Sequence, residues 1–201
     1  MTRAAAGRAA WAGVALLLAA FALVGWPMPR TALDWQPALA FTEPWRAVSA
    51  VGVHYSGQHL GVNLAGLVVT ALFGVVARAP APLAVAWLAA WPLTQFGLLT
   101  KPELLHYGGL SGVLHAGFAV IVVFLLVTGT RAQRGVAAAV LIGGAAKLLN
   151  EAPWGPALRH PAGWDIAVAP LAHTTGALAG ALSAAIALAW SRRARIPSAH
   201  A

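Results

Sequence analysis

Six long apolar stretches dominate this chain and leave few options for its fold. They run over about Ala9–Trp26, Gln58–Ala77, Pro82–Leu99, Gly109–Thr128, Gly135–Leu149 and Ile166–Trp190. A bilayer core of about 30 Å needs roughly 20 apolar residues in a helix. The pattern predicts an all-α membrane protein, with residues 1–201 forming a single domain of six transmembrane helices. Composition agrees, with 60% hydrophobic and 9% charged residues. A soluble domain carries roughly 25% charged residues, so a water-facing coat is excluded. The fifth stretch is short, reaching only about 22 Å at about 1.5 Å per residue. Gly143-Gly144 also weakens it as a helix. It therefore begins earlier, near Ala132, or sits loosely in the bundle.

The absence of cysteine excludes disulfides, thiolate zinc sites, iron–sulfur clusters and a cysteine nucleophile. A net charge of +8 raises the question of nucleic acid, but the basic residues sit in short clusters between apolar blocks. That distribution fits membrane topology and no nucleic-acid partner. With the N-terminus inside, Arg3, Arg8, Arg78, Arg131, Arg134, Arg192, Arg193 and Arg195 fall inside. Arg30, Arg46, Lys101, Lys147 and Arg159 fall outside or at the outer helix ends, and the acidic Asp34, Glu43, Glu103, Glu151 and Asp165 fall outside. The Lys/Arg bias predicts both termini in the cytoplasm. The first stretch also has the look of a signal peptide, with Ala20-Phe21-Ala22 mimicking a cleavage site. Its apolar run continues to Trp26, which favours a retained helix. Between the first two stretches, about Pro27–Gly57, four prolines exclude a long helix, and Trp35 and Trp45 favour the headgroup level. This connection is expected to lie as an ordered loop on the outer interface.

Strongly polar side chains inside such helices are costly and ask for a reason. His59 and Asn63 begin the second stretch and share a face at i, i+4. Ser111 and His115 share a face of the fourth, and His173 lies in the sixth. All three stretches enter from the same side, so these residues fall at a similar depth. Gly176 and Gly180 follow His173 on one face, a small-xxx-small ridge that admits a close neighbour. Gly108, Gly109 and Gly112 surround Ser111 on the facing helix. Chance supplies a Gly-x-Ser-Gly in such a chain roughly 0.06 times, and a His-x-x-x-Asn roughly 0.07 times. Their joint appearance at matching depth is hard to assign to chance.

This set has the makings of an activated nucleophile. Ser111 stands near a helix start, beside unpaired N–H groups and the positive dipole end. His173 is the candidate base that takes its proton and returns it to a leaving amine. His59, Asn63 and the Ser111 N–H are candidate oxyanion donors. No carboxylate lies within the second, fourth or sixth stretch to orient His173. The expectation is therefore a Ser–His dyad, with the orienting role left to packing or to a hydroxyl such as Thr174 or Thr175.

At these residues the chain resembles the rhomboid intramembrane serine proteases. The six-helix core, Gly109-Leu110-Ser111-Gly112, His59-x-x-x-Asn63, His173-x-x-Gly176-x-x-x-Gly180 and Trp45-Arg46 resemble that family's motifs in order and spacing. Within it, the small size and the run from Tyr107 to His115 look like the rhombosortase branch. The resemblance implies Ser111 as nucleophile, His173 as base, and His59 and Asn63 as oxyanion helpers. It implies no cofactor and no metal. It also implies membrane-anchored substrates with a C-terminal Gly-Gly sorting tail, cut near the outer face of a bacterial inner membrane. One departure is His115, where many rhomboids carry a Tyr beneath the catalytic His. It can pack in Tyr's place, hydrogen-bond to His173, or compete as base, and packing is the favoured reading.

Two other classes compete. A non-catalytic relative that binds membrane helices would dispense with Ser111 or His173. A small transporter would need broken-helix symmetry between halves, which is not visible. His54, His106 and His160 are expected to be solvated or interfacial, and Lys147–Glu151 to be an ordinary i, i+4 pair. Metal binding by His54 and His59 lacks a third ligand at suitable spacing.

Overall fold

In lipid, apolar runs of this length must satisfy each backbone N–H internally, and a helix does so within its own segment. The computed structural model describes residues 2–193, which contain helices and no strand. Among the described residues, six helices are long and apolar enough to cross a membrane. They are α1 (Arg3–Gly25), α2 (Gly57–Val76), α3 (Ala81–Phe96, continued by a tight turn to Thr100), α4 (Ser111–Thr128), α5 (Arg131–Glu151) and α6 (Pro170–Arg193). Arg195, one of the charges used to orient the chain, lies outside the described residues.

Several boundaries differ from the sequence reading. α1 starts at Arg3 rather than near Ala9, because the Thr2 hydroxyl caps it by accepting from Ala5 N–H at 3.2 Å. α6 starts at Pro170 rather than Ile166, since Val168 pairs with Arg159 through two backbone hydrogen bonds instead. The largest change is α5, which covers Arg131–Glu151 rather than Gly135–Leu149. Thr130 and Gln133 form a reciprocal capping box at its start. Its end is turned off by Ala152 in the left-handed region, φ 49°. Gly143 and Gly144 do not interrupt it.

Indole rings join the first four helices. Trp11 of α1 stacks on Trp87 of α3 at 4.5 Å. Its N–H donates to the Thr70 carbonyl of α2, while Trp87 donates to the Val113 carbonyl of α4, at 3.2 and 2.8 Å. The most extensive helix pairing is between α4 and α6. A Cβ at Gly176 would collide with the Gly112 carbonyl, and one at Gly180 with the Ala116 carbonyl. The two backbones touch, as the small-residue ridge predicts. α5 is different: Ala137 is its one buried residue, and it leans on α4 while barely meeting α6.

Between α1 and α2 the chain makes two one-turn helices, Arg30–Leu33 and Arg46–Ser49, and two tight turns, as its prolines require. Arg46 organises this segment. Its guanidinium donates to Glu43, to the Thr31 and Asp34 carbonyls and to the Asp34 carboxylate. Trp45 is exposed, but Trp35 is fully buried against Phe96 rather than held at an interface. Trp35 and Tyr107 exchange both backbone hydrogen bonds, at 2.7 and 2.9 Å, and Gly109 N–H donates to the Ala50 carbonyl at 2.9 Å. The long connection thus braces the stretch that leads into Ser111.

Candidate active site

Ser111 is the first residue of α4, so the N–H groups of its first turn have no partner within the helix. The turn before it depends on Gly109, whose φ of +120° suits only glycine. A side chain there would also meet His59 Nε2 at 2.6 Å and Asn63 Nδ2 at 3.3 Å. Glycine therefore lets the α2 pair sit directly against the turn that leads into Ser111. Across the close α4–α6 contact, His173 Nε2 lies 3.0 Å from Ser111 Oγ. His59, Asn63, Ser111, His115 and His173 all border one open cavity of about 560 Å³. The structure thus brings these residues together, with Gly109, Gly112, Gly176 and Gly180 supplying the close approach.

The α2 pair presents donors. His59 Nδ1 accepts from Tyr55 N–H at 3.3 Å, so its Nε2 carries the hydrogen and faces Gly109. The buried Asn63 Nδ2 has no hydrogen-bond partner among the described residues. An unpaired buried donor costs about 1–3 kcal/mol, a cost that an incoming oxyanion would remove. His115 lies flat on His173, with ring centroids 4.3 Å apart and planes 16° apart.

A carboxylate beside His173 was missed in the sequence. Glu151, the last residue of α5, puts Oε2 2.7 Å from His173 Nδ1. Neither expected hydroxyl takes that role: Thr175 donates to the Thr94 and Ala172 carbonyls, and Thr174 has no partner among the described residues. The Lys147–Glu151 pair is present at 2.6 Å, but it is more than an ordinary surface pair. Lys147 Nζ also lies 3.1 Å from His115 Nε2 and 3.4 Å from His173 Nδ1. The i, i+4 spacing was the available signal, and a fifth helix cut at Leu149 hid where it pointed.

Arg159, His160, Pro161, Trp164 and Val168 border the same cavity, and the connection 152–169 that carries them is strapped to the start of α2. Ser56 donates to Asp165 at 2.7 Å and Gln58 to the Gly163 carbonyl at 2.9 Å. Arg159 donates to the Glu151 carbonyl at 2.8 Å. His106 is half-exposed beside Asp34, at 2.8 Å. Among the described residues no group of three or more His, Cys, Asp or Glu is arranged to hold a metal ion.

His54, expected to be solvated or interfacial, is instead 1% exposed, and neither ring nitrogen has a partner among the described residues. Burial lowers its pKa from 6.5 to about 4. Burial also raises that of Tyr55 and pushes Tyr107 up to about 12, so both phenols keep their protons. Because the unfolded chain protonates His54 first, its contribution is intact above about pH 6.5 and is lost as pH falls toward 4. The loss should reach about 3 kcal/mol, and His54→Phe should remove that part of the acid sensitivity. Unfolding temperatures of both proteins at about pH 7 and about pH 4.5 check it.

Comparisons with protein-family models, with curated proteins and with solved structures found no match to this chain.

Proposed function

We propose that the protein is an intramembrane serine endopeptidase built on a rhomboid-like bundle. The observation that carries the reading is the 3.0 Å approach of His173 Nε2 to Ser111 Oγ, made between two helices at the edge of an open cavity. Ser111 Oγ attacks a substrate peptide carbonyl while its proton moves to His173 Nε2. A C–O bond forms, and the oxyanion lies toward His59, Asn63 and the Ser111 N–H. His173 then gives the proton to the leaving nitrogen as the C–N bond breaks, and water completes the hydrolysis.

The basic-residue bias supports an N-in, C-in orientation in a bacterial inner membrane, with the cavity opening outward. A membrane-anchored substrate must unwind before its carbonyls can be reached, and Gly or Ala near the cut lowers that cost. The resemblance therefore favours proteins with a C-terminal Gly-Gly sorting tail. The sparse contacts of α5 with α6 support lateral approach beside that helix.

The test is co-expression with a Gly-Gly-tailed membrane protein, mass spectrometry of the mature C-terminus, and labelling of membranes with a fluorophosphonate. Cleavage near the tail and a label on Ser111, both lost in Ser111→Ala, are the expected results. An unlabelled Ser111 together with unprocessed substrate that still copurifies would favour a non-catalytic binder of membrane helices.

A further inference from the structure

His173 can take a proton from Ser111 only if its Nε2 is bare, and its neighbours decide which nitrogen holds the hydrogen. Nδ1 faces two groups that make opposite demands. The Glu151 carboxylate, at 2.7 Å, can only accept, whereas the Lys147 ammonium, at 3.4 Å, can only donate. Lys147 has nearer acceptors in Glu151 Oε1 at 2.6 Å and His115 Nε2 at 3.1 Å. His115 Nε2 is a lone pair, because its Nδ1 lies 2.7 Å from the Ser111 carbonyl and must donate to it. A single proton assignment then satisfies the whole cluster. His115 donates to the Ser111 carbonyl, Lys147 donates to His115 and Glu151, and His173 Nδ1–H donates to Glu151. His173 Nε2 is left bare toward Ser111 Oγ.

We propose that Glu151 is a positioning residue that holds His173 in its productive tautomer, with Lys147 steering the carboxylate and the His115 ring supporting the imidazole from below. The inference rests on the serine-protease reading. As Ser111 attacks, its proton passes to Nε2 and the imidazolium forms against the Glu151 charge. The proton then leaves with the amine, and Glu151 stays ionised throughout. The group comes from α5, the helix least buried in the bundle, so the orientation of His173 depends on where that helix sits.

The experiment uses the full chain in lipid vesicles with a tailed substrate, comparing Ser111→Ala, Glu151→Gln, Glu151→Asp and Lys147→Met. Glutamine keeps an acceptor for Lys147 and the tie to α5, but it can also donate to Nδ1 and permit the wrong tautomer. Glu151→Gln is expected to lower kcat by at least about 100-fold with KM nearly unchanged. Glu151→Asp should recover at least about tenfold of that loss by restoring the charge. Lys147→Met should cost at least about tenfold less than Glu151→Gln. Equal losses for Lys147→Met and Glu151→Gln would reduce Glu151 to a tether for α5 and overturn the proposal. A Glu151→Gln protein with full kcat would overturn it too, while an inactive Ser111→Ala leaves the protease reading standing. An active Ser111→Ala would instead sink that reading.

Discussion

Alanine at Ser111 and alanine at His173 are each expected to cut substrate turnover by about 10⁶-fold, and the double substitution by no more than either alone. On the proposed mechanism the two groups act as one device. Without the hydroxyl there is no nucleophile, and without the imidazole the hydroxyl keeps its proton, so the second loss finds nothing left to remove. Asn63→Ala belongs to a different class. It removes one donor from the developing oxyanion, which is worth about 10²–10³-fold in kcat. The ordering is as informative as the size, with Ser111 and His173 together at the bottom and Asn63 well above them. Turnover in vesicles, followed by mass spectrometry of the released tail, measures all four proteins. Additive losses at Ser111 and His173 would mean that the 3.0 Å contact is not a proton path.

The second large effect is expected at the α4–α6 seam. Gly180→Leu drives a side chain into the Ala116 carbonyl of the facing helix, and the backbone cannot yield without parting the helices. Overpacking of this kind costs about 1–3 kcal/mol, occasionally more. The functional loss should be larger than the stability loss suggests, because a 1 Å error in placing reacting groups can cost about 100-fold. Gly143→Ala is the matched control, since a Cβ there meets nothing within 4 Å. It should leave turnover intact and raise the unfolding temperature slightly, as alanine replaces glycine within a helix. Equal behaviour of the two variants in turnover and thermal unfolding would show that close packing at the seam does not hold the site.

How much of this was legible depends on which physical signal each residue obeys. The six long helices follow from apolar length, a demand a bilayer makes regardless of partners. Ser111, His173, His59 and Asn63 were legible because polar groups are expensive within apolar helices and therefore conspicuous. Glu151 was hidden by the same logic. It lies at the end of α5, where a carboxylate is unremarkable, and apolar content alone stopped that helix at Leu149. The helix start was in fact written in Thr130-x-x-Gln133, a capping box that the hydropathy reading passed over. His54 and Trp35 were misjudged for another reason. Their burial comes from the chain between α1 and α2 folding back onto the stretch before Ser111, and no periodicity records such a return.

The slight burial of α5 carries a consequence for how the molecule lives in its surroundings. Within a bilayer, a rod with one residue sheltered by protein would be held upright largely by the acyl chains that press on its open flank. If the carboxylate at its tip sets the imidazole of the proposed protease, the lipid film would itself be a mechanical part of the catalyst. Thinner, looser or detergent-replaced films would then change the reaction rate without altering any atom of the chain.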